Sequence, residues 1–414
     1  MTRNGMHRVV ITGAGLITPL GQNVPDSWAA AVSGRSGFGP VTLFDPTDHT
    51  VQGVFEVKDF DPVKHLGRRE ARRRDRYQQF AAIAAQEAMV QSGLEITDDN
   101  RKQIGVFIGT GIGGIMTLLE QEHKRQEAGA HRLSPFAITM IMPNGAAGML
   151  AIDFGIHGPS STMATACASG LDAIGHAFHA VRRGDVQAML TGGTECMLTP
   201  VAVGGFEAAR ATSSKTSRTP QPFDRNRDGL LPGEGAGMLV IENLEHARAR
   251  GAQILGEIVG YGQTTDAFHI TAPAEGGVGA ARAMQIALSD AGVNPDEIDY
   301  ISAHGTATEL NDRYETMAIK HALGTAAYAP GISSTKGMTG HIMGATGAIE
   351  AVFCLKAIAD QVMPPNINYE TPDPECDLDI VANEAREARV QVTMNNAFGF
   401  GGHNAVLITR AFED

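Results

Sequence analysis

The sequence predicts an α/β body in which one unit has been duplicated. Three observations lead there. Short apolar strands alternate with helical patterns, two stretches recur in the same order in the two halves, and glycine supplies 49 of the 414 residues. Such alternation marks a sheet covered by helices on both faces. Abundant glycine suits tight strand-to-helix turns and close backbone packing.

Candidate strands in chain order are "RVVITG" (8–13), "IGVFIGTG" (104–111), "QAMLTGG" (187–193), "GMLVIEN" (237–243), "IDYISAHG" (298–305) and "NAVLITR" (404–410). Helical patterns include 77–92, 170–183, 279–291 and 346–359. The stretch from Ala81 runs Ala-rich helix, glycine, acidic loop and a strand ending in Gly-Thr, and so does the stretch from Ala280. Further on, "GPSSTMATACASG" from Gly158 parallels "GISSTKGMTGHIMG" from Gly331. Two pairs in one order indicate a duplicated unit. The break falls near Gly251–Gly262, with no low-complexity linker, so one packed body is expected.

Composition narrows the function. A net charge of −13 argues against general binding to nucleic acid or to an anionic membrane. The four cysteines are far apart, without a CxxC pair, so neither a zinc knuckle nor a disulfide framework is expected. A reducing compartment fits. The opening "MTRNGMHRVVITGAG" lacks the apolar core of a signal peptide, and no uncharged apolar run reaches the roughly 18 residues of a membrane span. A soluble, cytosolic protein is the expectation.

Cys167 lies among small residues just before an apolar helix pattern. Two readings stand. Free cysteine is commonly a small buried hydrophobe. At a helix N-terminus, however, free N–H groups and the helix dipole lower a thiol pKa and stabilise an oxyanion. A nucleophile also needs proton-moving or charge-steadying partners. His304 ends the strand "IDYISAHG", and His341 sits in the duplicate of the cysteine loop, flanked by Lys336 and Glu350. The tail "NNAFGFGGHN" (395–404) sets Phe398 and Phe400 in a glycine-rich turn.

Two other stretches have competing readings. The basic run "GRREARRRDRY" (67–77) is either a solvated helix face or a landing site for an acidic partner. "GTGIGGI" (109–115) looks like a phosphate-cradling loop but lacks the GK[ST] ending, so a nucleotide site is rejected.

Taken together, "ATACASG", "FDRNRDGLLPGEGAGMLVIE", "AHGTATELND", "SSTKGMTGHIMGATGAIE" and "FGFGGHN" resemble the β-ketoacyl-[acyl-carrier-protein] synthases, closest to the type II elongating enzymes. The resemblance covers nearly the whole chain. It implies a thiolase-like fold, two duplicated halves (8–256 and 257–414) in a five-layer αβαβα body, and a homodimer. It also implies condensation of an acyl carrier protein thioester with malonyl carrier protein, releasing CO₂ and requiring no cofactor or metal. Residue by residue, Cys167 matches the nucleophile and His304 and His341 the histidine pair. Lys336 and Glu350 match supporting charges, and Phe400 the gate whose amide joins that of the cysteine. Thr306 and Thr308 match pantetheine contacts; Ile112 matches an acyl-pocket residue. Phe398 and Thr271 are placed with the substrate-binding residues. Arg69, Arg72, Arg73 and Arg210 match carrier-protein contacts. Glu309 stands where the family often has proline, which bears on the tunnel entrance.

Other readings explain less. A degradative thiolase would want a second cysteine near the C-terminus, and "FGFGGHN" has none. A non-catalytic chain-length partner typically lacks the cysteine. A cysteine hydrolase leaves the duplication unexplained. The remaining alternative is a polyketide-type ketosynthase.

Overall fold

The computed structural model describes residues 6–214 and 219–413. The first five residues of the opening segment read above lie outside that range.

Ten strands form the main sheet. They are β1 (Val9–Ile17), β2 (Ile104–Gly109), β3 (Ser160–Met163), β4 (Ala188–Cys196), β5 (Glu234–Asn243), β6 (Gly256–Thr265), β7 (Tyr300–Ser302), β8 (Gly331–Ser333), β9 (Val392–Gly399) and β10 (His403–Arg410). Their order is β8-β7-β9-β10-β6-β1-β5-β4-β2-β3. The duplication is visible in that order. From the outer edge inward, β3-β2-β4-β5-β1 pair parallel, parallel, antiparallel, antiparallel. The other half, β8-β7-β9-β10-β6, pairs in the same sequence of directions. The halves join where Val9–Ile11 of β1 meets Gly256–Ile258 of β6.

Helices complete five layers. Those used here are α1 (Pro62–Ala71), α2 (Arg76–Ser92), α3 (Ser169–Arg183), α4 (Val278–Ala291), α5 (Glu309–Leu323) and α6 (Thr346–Asp360). Outermost, α2 packs on β1, β5 and β4, while α4 packs on β6 and β10 and carries α5 beside it. Between the half-sheets lie α3 and α6, in contact with each other. From Thr346 to Leu355 every residue of α6 is buried, as expected of a helix apolar all round.

Two local features repeat between the halves. Both α2 and α4 end on a left-handed glycine, Gly93 and Gly292, which releases the chain without a Cβ clash. Both first strands carry glycines against their helix. A Cβ on Gly15 would lie 1.9 Å from the Ala84 carbonyl oxygen, and one on Gly262 would lie 2.0 Å from that of Ala283. Helix backbone therefore rests directly on strand backbone. Such glycines hide β6, "GEIVGYGQTT", from a reading based on apolar runs, and the break expected near Gly251–Gly262 overlaps it. The tail read as a turn is a hairpin, with only residues 400–402 between β9 and β10.

Candidate active site

Each half sends a loop from its short edge strand into the buried helix between the sheets. The first loop makes a tight turn at Ala166–Ala168 and enters α3; the second makes one at Met343–Ala345 and enters α6. Each turn starts on a residue in left-handed conformation, Ala166 at φ +51° and Met343 at φ +41°. One hydrogen bond clamps both. Thr165 N–H donates to Ser169 Oγ at 2.9 Å, and Ile342 N–H donates to Thr346 Oγ1 at 2.9 Å. By this match the counterpart of Cys167 is Gly344, and His341 lies three residues earlier. Ser160 pairs with Ser333 in sequence but Ser169 with Thr346, so the second loop is longer by four residues. Those four match the helical turn Lys336–Thr339.

The loops meet at backbone distance. A Cβ on Gly170 would stand 2.6 Å from the Gly344 carbonyl oxygen. This contact brings Cys167 Sγ within 3.1 Å of His341 Nε2, although 174 residues separate them. His304, at the exit of β7, sets its ring 5.4 Å from that of His341, nearly perpendicular to it. One ligand atom from each of Cys167, His304 and His341 lies within 4.8 Å of the others. All three side chains are buried. They line a cavity of about 340 Å³ together with Phe206, Arg210, Thr271, Thr306, Thr308, Phe398 and Phe400.

Electrostatics revise one expectation. Burial pushes the Cys167 thiol up to about 12, while the Phe400 amide and Lys336 pull it down. Desolvation thus outweighs the helix N-terminus in the substrate-free protein. Burial also holds both imidazoles well below the usual histidine range, and the Lys336 charge adds to it. Both are therefore neutral at pH 7. Thr346 Oγ1 lies 3.1 Å from His341 Nδ1 and already accepts from Ile342 N–H. Its own proton is free to point at Nδ1, which leaves Nε2 protonated and facing the sulfur.

Lys336 Nζ and Glu350 Oε1 form a fully buried pair at 2.7 Å. Neither lines the cavity, so the pair sits behind the cavity wall and not on it. Ile112 is also absent from the cavity wall and packs instead with Cys167 and Met343 beneath it. Exposed Thr271 and Arg210 stand at the mouth. The segment before Thr271 is tied to the Phe400 turn, by Gly401 N–H to the Ile270 carbonyl at 2.7 Å and by Asn404 to Asp266 at 2.7 Å.

The basic run divides in two. Arg69 and Arg72 are exposed, and Arg73 is half-buried over the ring of Phe136. Arg74 and Arg76 turn inward to Asp153 and Glu234, each at 2.6 Å. Only the first part is available to a partner.

Sequence reading missed three buried carboxylates. Glu195 accepts from the amides of Gly111 (2.6 Å), Ile112 (3.3 Å) and Gly344 (3.1 Å). The amides of "GTGIGGI" thus bind an internal carboxylate, which accounts for a phosphate-like loop without a phosphate. Glu315 accepts from the amides of His304 and Gly305, at 2.8 and 2.7 Å, and fixes the histidine's backbone. Asp172 bonds Thr165 in the cysteine loop and Tyr261 on β6, each at 2.5 Å, and so links the halves. For Glu195 and Asp172 the only available cue was a lone carboxylate in an apolar segment; Glu315, among the charges of "ELNDRYETMAIK", offered none.

Comparison with known proteins agrees with this geometry. The family model described as "Beta-ketoacyl synthase, N-terminal domain" matches residues 6–247, and "Beta-ketoacyl synthase, C-terminal domain" matches residues 255–370. The chain is similar to the 3-oxoacyl-[acyl-carrier-protein] synthase 2 of Synechocystis sp., 49% identical over 98% of both chains. The protein of that name from Staphylococcus aureus is also 49% identical, over 98% of this chain and 99% of the other. Among solved structures, the ishigamide ketosynthase/chain length factor superposes with TM-score 0.92 at 37% identity, over 99% of this chain and 100% of that one. A type II polyketide ketosynthase, solved with its acyl-carrier protein and bound to a hexaketide, superposes with TM-score 0.91 at 34% identity and the same coverage.

Proposed function

This chain belongs to the beta-ketoacyl synthase family, and from that premise we propose how its residues divide the work of condensation. Its fold is the thiolase-like one of that family, and its activity is acyl transfer: acyl-[acyl-carrier-protein] and malonyl-[acyl-carrier-protein] give 3-oxoacyl-[acyl-carrier-protein] and CO₂, in fatty-acid elongation. The observation that carries the division of roles is Cys167 Sγ at 3.1 Å from a neutral His341, with His304 beside both.

Cys167 attacks the acyl thioester after losing its proton as substrate arrives. The amides of Cys167 and Phe400 take the oxyanion; both lower the thiol's pKa and so favour negative charge at this position. The acyl group remains on sulfur as the first carrier protein leaves. Malonyl carrier protein then enters, and loss of CO₂ puts an enolate oxygen near the two imidazoles. Each donates N–H without carrying charge, which suits a donor whose basicity is depressed. The carbanion attacks the acyl-cysteine. Thr306 and Thr308, whose hydroxyls lie 2.9 Å apart at the cavity wall, receive the pantetheine arm. Ile112 borders the acyl end.

The partner is an acyl carrier protein, approached through Arg69, Arg72, Arg73 and Arg210. Charge reversal at Arg72 and Arg73 weakens carrier binding about tenfold at low salt and less at high salt; unchanged affinity would return this face to a plain solvated surface. A homodimer is supported by the half-exposed edge strand β3 and by exposed Leu118, Phe136, Ile138 and Ile152 in the preceding segment. We divide the chain at 256/257, one residue into β6, the strand that opens the second set of five. No helix of the described residues is long and apolar enough to cross a membrane; with four free, buried cysteines a cytoplasmic setting fits. The test is to supply acyl carrier proteins of graded chain length with malonyl carrier protein and read product mass. Products two carbons longer are expected; malonyl decarboxylation without extension would sink the reading.

A further inference from the structure

We propose that Cys167, His304, His341 and Met343 form a soft-metal site that captures copper(I) in the substrate-free protein. The donors are already gathered. One ligand atom from each of the cysteine and the two histidines lies within 4.8 Å of the others, and all three side chains are buried. Met343 adds a thioether: its Sδ lies 3.7 Å from Cys167 Sγ. Two imidazoles, a thiolate and a more distant thioether are soft ligands that favour copper(I) over hard cations. Zinc would use the thiolate and imidazoles but gains little from a thioether.

The surroundings resemble the outer shell of a metal site. Copper at Nε2 takes the other neutral tautomer of His341, whose ring proton moves to Nδ1 and is donated to Thr346 Oγ1 at 3.1 Å, as hydrogen-bond partners orient metal-bound histidines. Glu195 holds the Gly344 amide and with it the turn carrying Met343. An apolar cluster of Met197, Ala202 and Phe206 closes around the two sulfurs, and the cavity gives access from solvent. A second thiol–thioether pair, Cys196 with Met116 at 3.1 Å, has Glu234 rather than a histidine on its sulfur.

Binding forms a copper–sulfur bond and releases the thiol proton to solvent; copper stays in the +1 state and no electron moves. Metal and acyl group then compete for one sulfur. An acylated cysteine has no thiolate to offer, so acyl-enzyme is protected and resting enzyme is the sensitive form. The proposal rests on the gathered donors and not on the condensation reading, so either can fail alone.

The test is an anaerobic titration of the full chain, with copper(I) supplied from a coloured chelator. One high-affinity copper per chain is expected. Cys167→Ser is expected to weaken it by about a hundredfold and Met343→Leu by about tenfold, with zinc affinity little changed in the latter. Protein alkylated or acylated at Cys167 should leave the chelator loaded. X-ray absorption of the wild-type complex should show sulfur and imidazole around copper, which keeps the proposal testable should a variant misfold. Equal retention by Cys167→Ser or by alkylated protein overturns the site. Equal retention by Met343→Leu overturns the copper assignment, and so does a copper shell without sulfur.

Discussion

The two loops facing each other across the molecule share one design and carry opposite chemistry. Both run from a short parallel edge strand through a left-handed residue into a buried helix, and both are clamped by the same amide-to-hydroxyl bond. The first places a thiol at its turn. The second places Gly344 there, because a Cβ would stand 2.5 Å from the Gly111 nitrogen. It adds a helical turn instead and uses it to bring Lys336 and His341. The edges differ as well. Strand β3 is half-exposed, while β8 is buried beneath the 379–381 segment, which bonds both sides of Ile332. The two halves therefore share one scaffold, and the second loop differs from the first by the four-residue helical turn Lys336–Thr339.

Four experiments break or sharpen that comparison. The largest effect belongs to the thiol. Cys167→Ser should abolish the covalent acyl-enzyme and lower condensation by at least about 10³-fold. Intact mass after incubation with acyl carrier protein reads this directly; a persisting adduct would move the nucleophile elsewhere.

Next comes the inserted turn. Lys336→Met leaves the Glu350 carboxyl buried without its ion-pair partner, at a cost of about 3–5 kcal/mol in urea unfolding. Lys336→Met combined with Glu350→Leu should recover most of that, because neither charge is then stranded. Failure of the double variant would mean that the pair is not the source of the loss.

The donor side is tested at His304. His304→Ala should lower condensation by about 10²–10³-fold while acyl transfer to Cys167 survives. The pH profile separates the loops further. Both histidines have folded-state pKa values well below 6.5. The folded protein therefore resists protonation, and single-turnover condensation should not decline as pH falls through 6.5. Stability behaves differently. The histidines' contribution to it is complete above pH 6.5 and is lost progressively below, where only the unfolded chain takes up these protons; Glu195, Glu315 and Glu350, each raised to about 7 by burial, contribute in the opposite sense. A rate profile breaking near 6.5 would contradict neutral donors.

The smallest effect is expected at the counterpart of the cysteine. Gly344→Ala forces a Cβ onto the Gly111 nitrogen and Glu195, costing about 1–3 kcal/mol. An unperturbed variant would show that the two turns are not held at backbone contact.

Much of this was legible early. The termini of α2, α3, α4 and α6 fall within a residue of the helical patterns, since apolar periodicity is a local property. β6 was not legible, because Gly256, Gly260 and Gly262 interrupt its apolar run for the sake of helix packing. The ionic lining was largely hidden. Glu195, Glu315 and Asp172 look like ordinary acidic residues until burial and backbone amides surround them. Arg74 and Arg76 looked like part of a basic face until their carboxylates appeared.

By itself the sequence determined the duplicated α/β order and the family, and it singled out Cys167, His304 and His341 as the candidate reacting groups. These follow from motifs and spacings along one chain. Tertiary structure alone decided that Cys167 rests as a thiol, that its histidines are neutral, that the glycine loop serves Glu195, and that Met343 stands beside the sulfur. Each depends on desolvation or on contact between segments far apart in sequence, and both arise only when the halves close on one another.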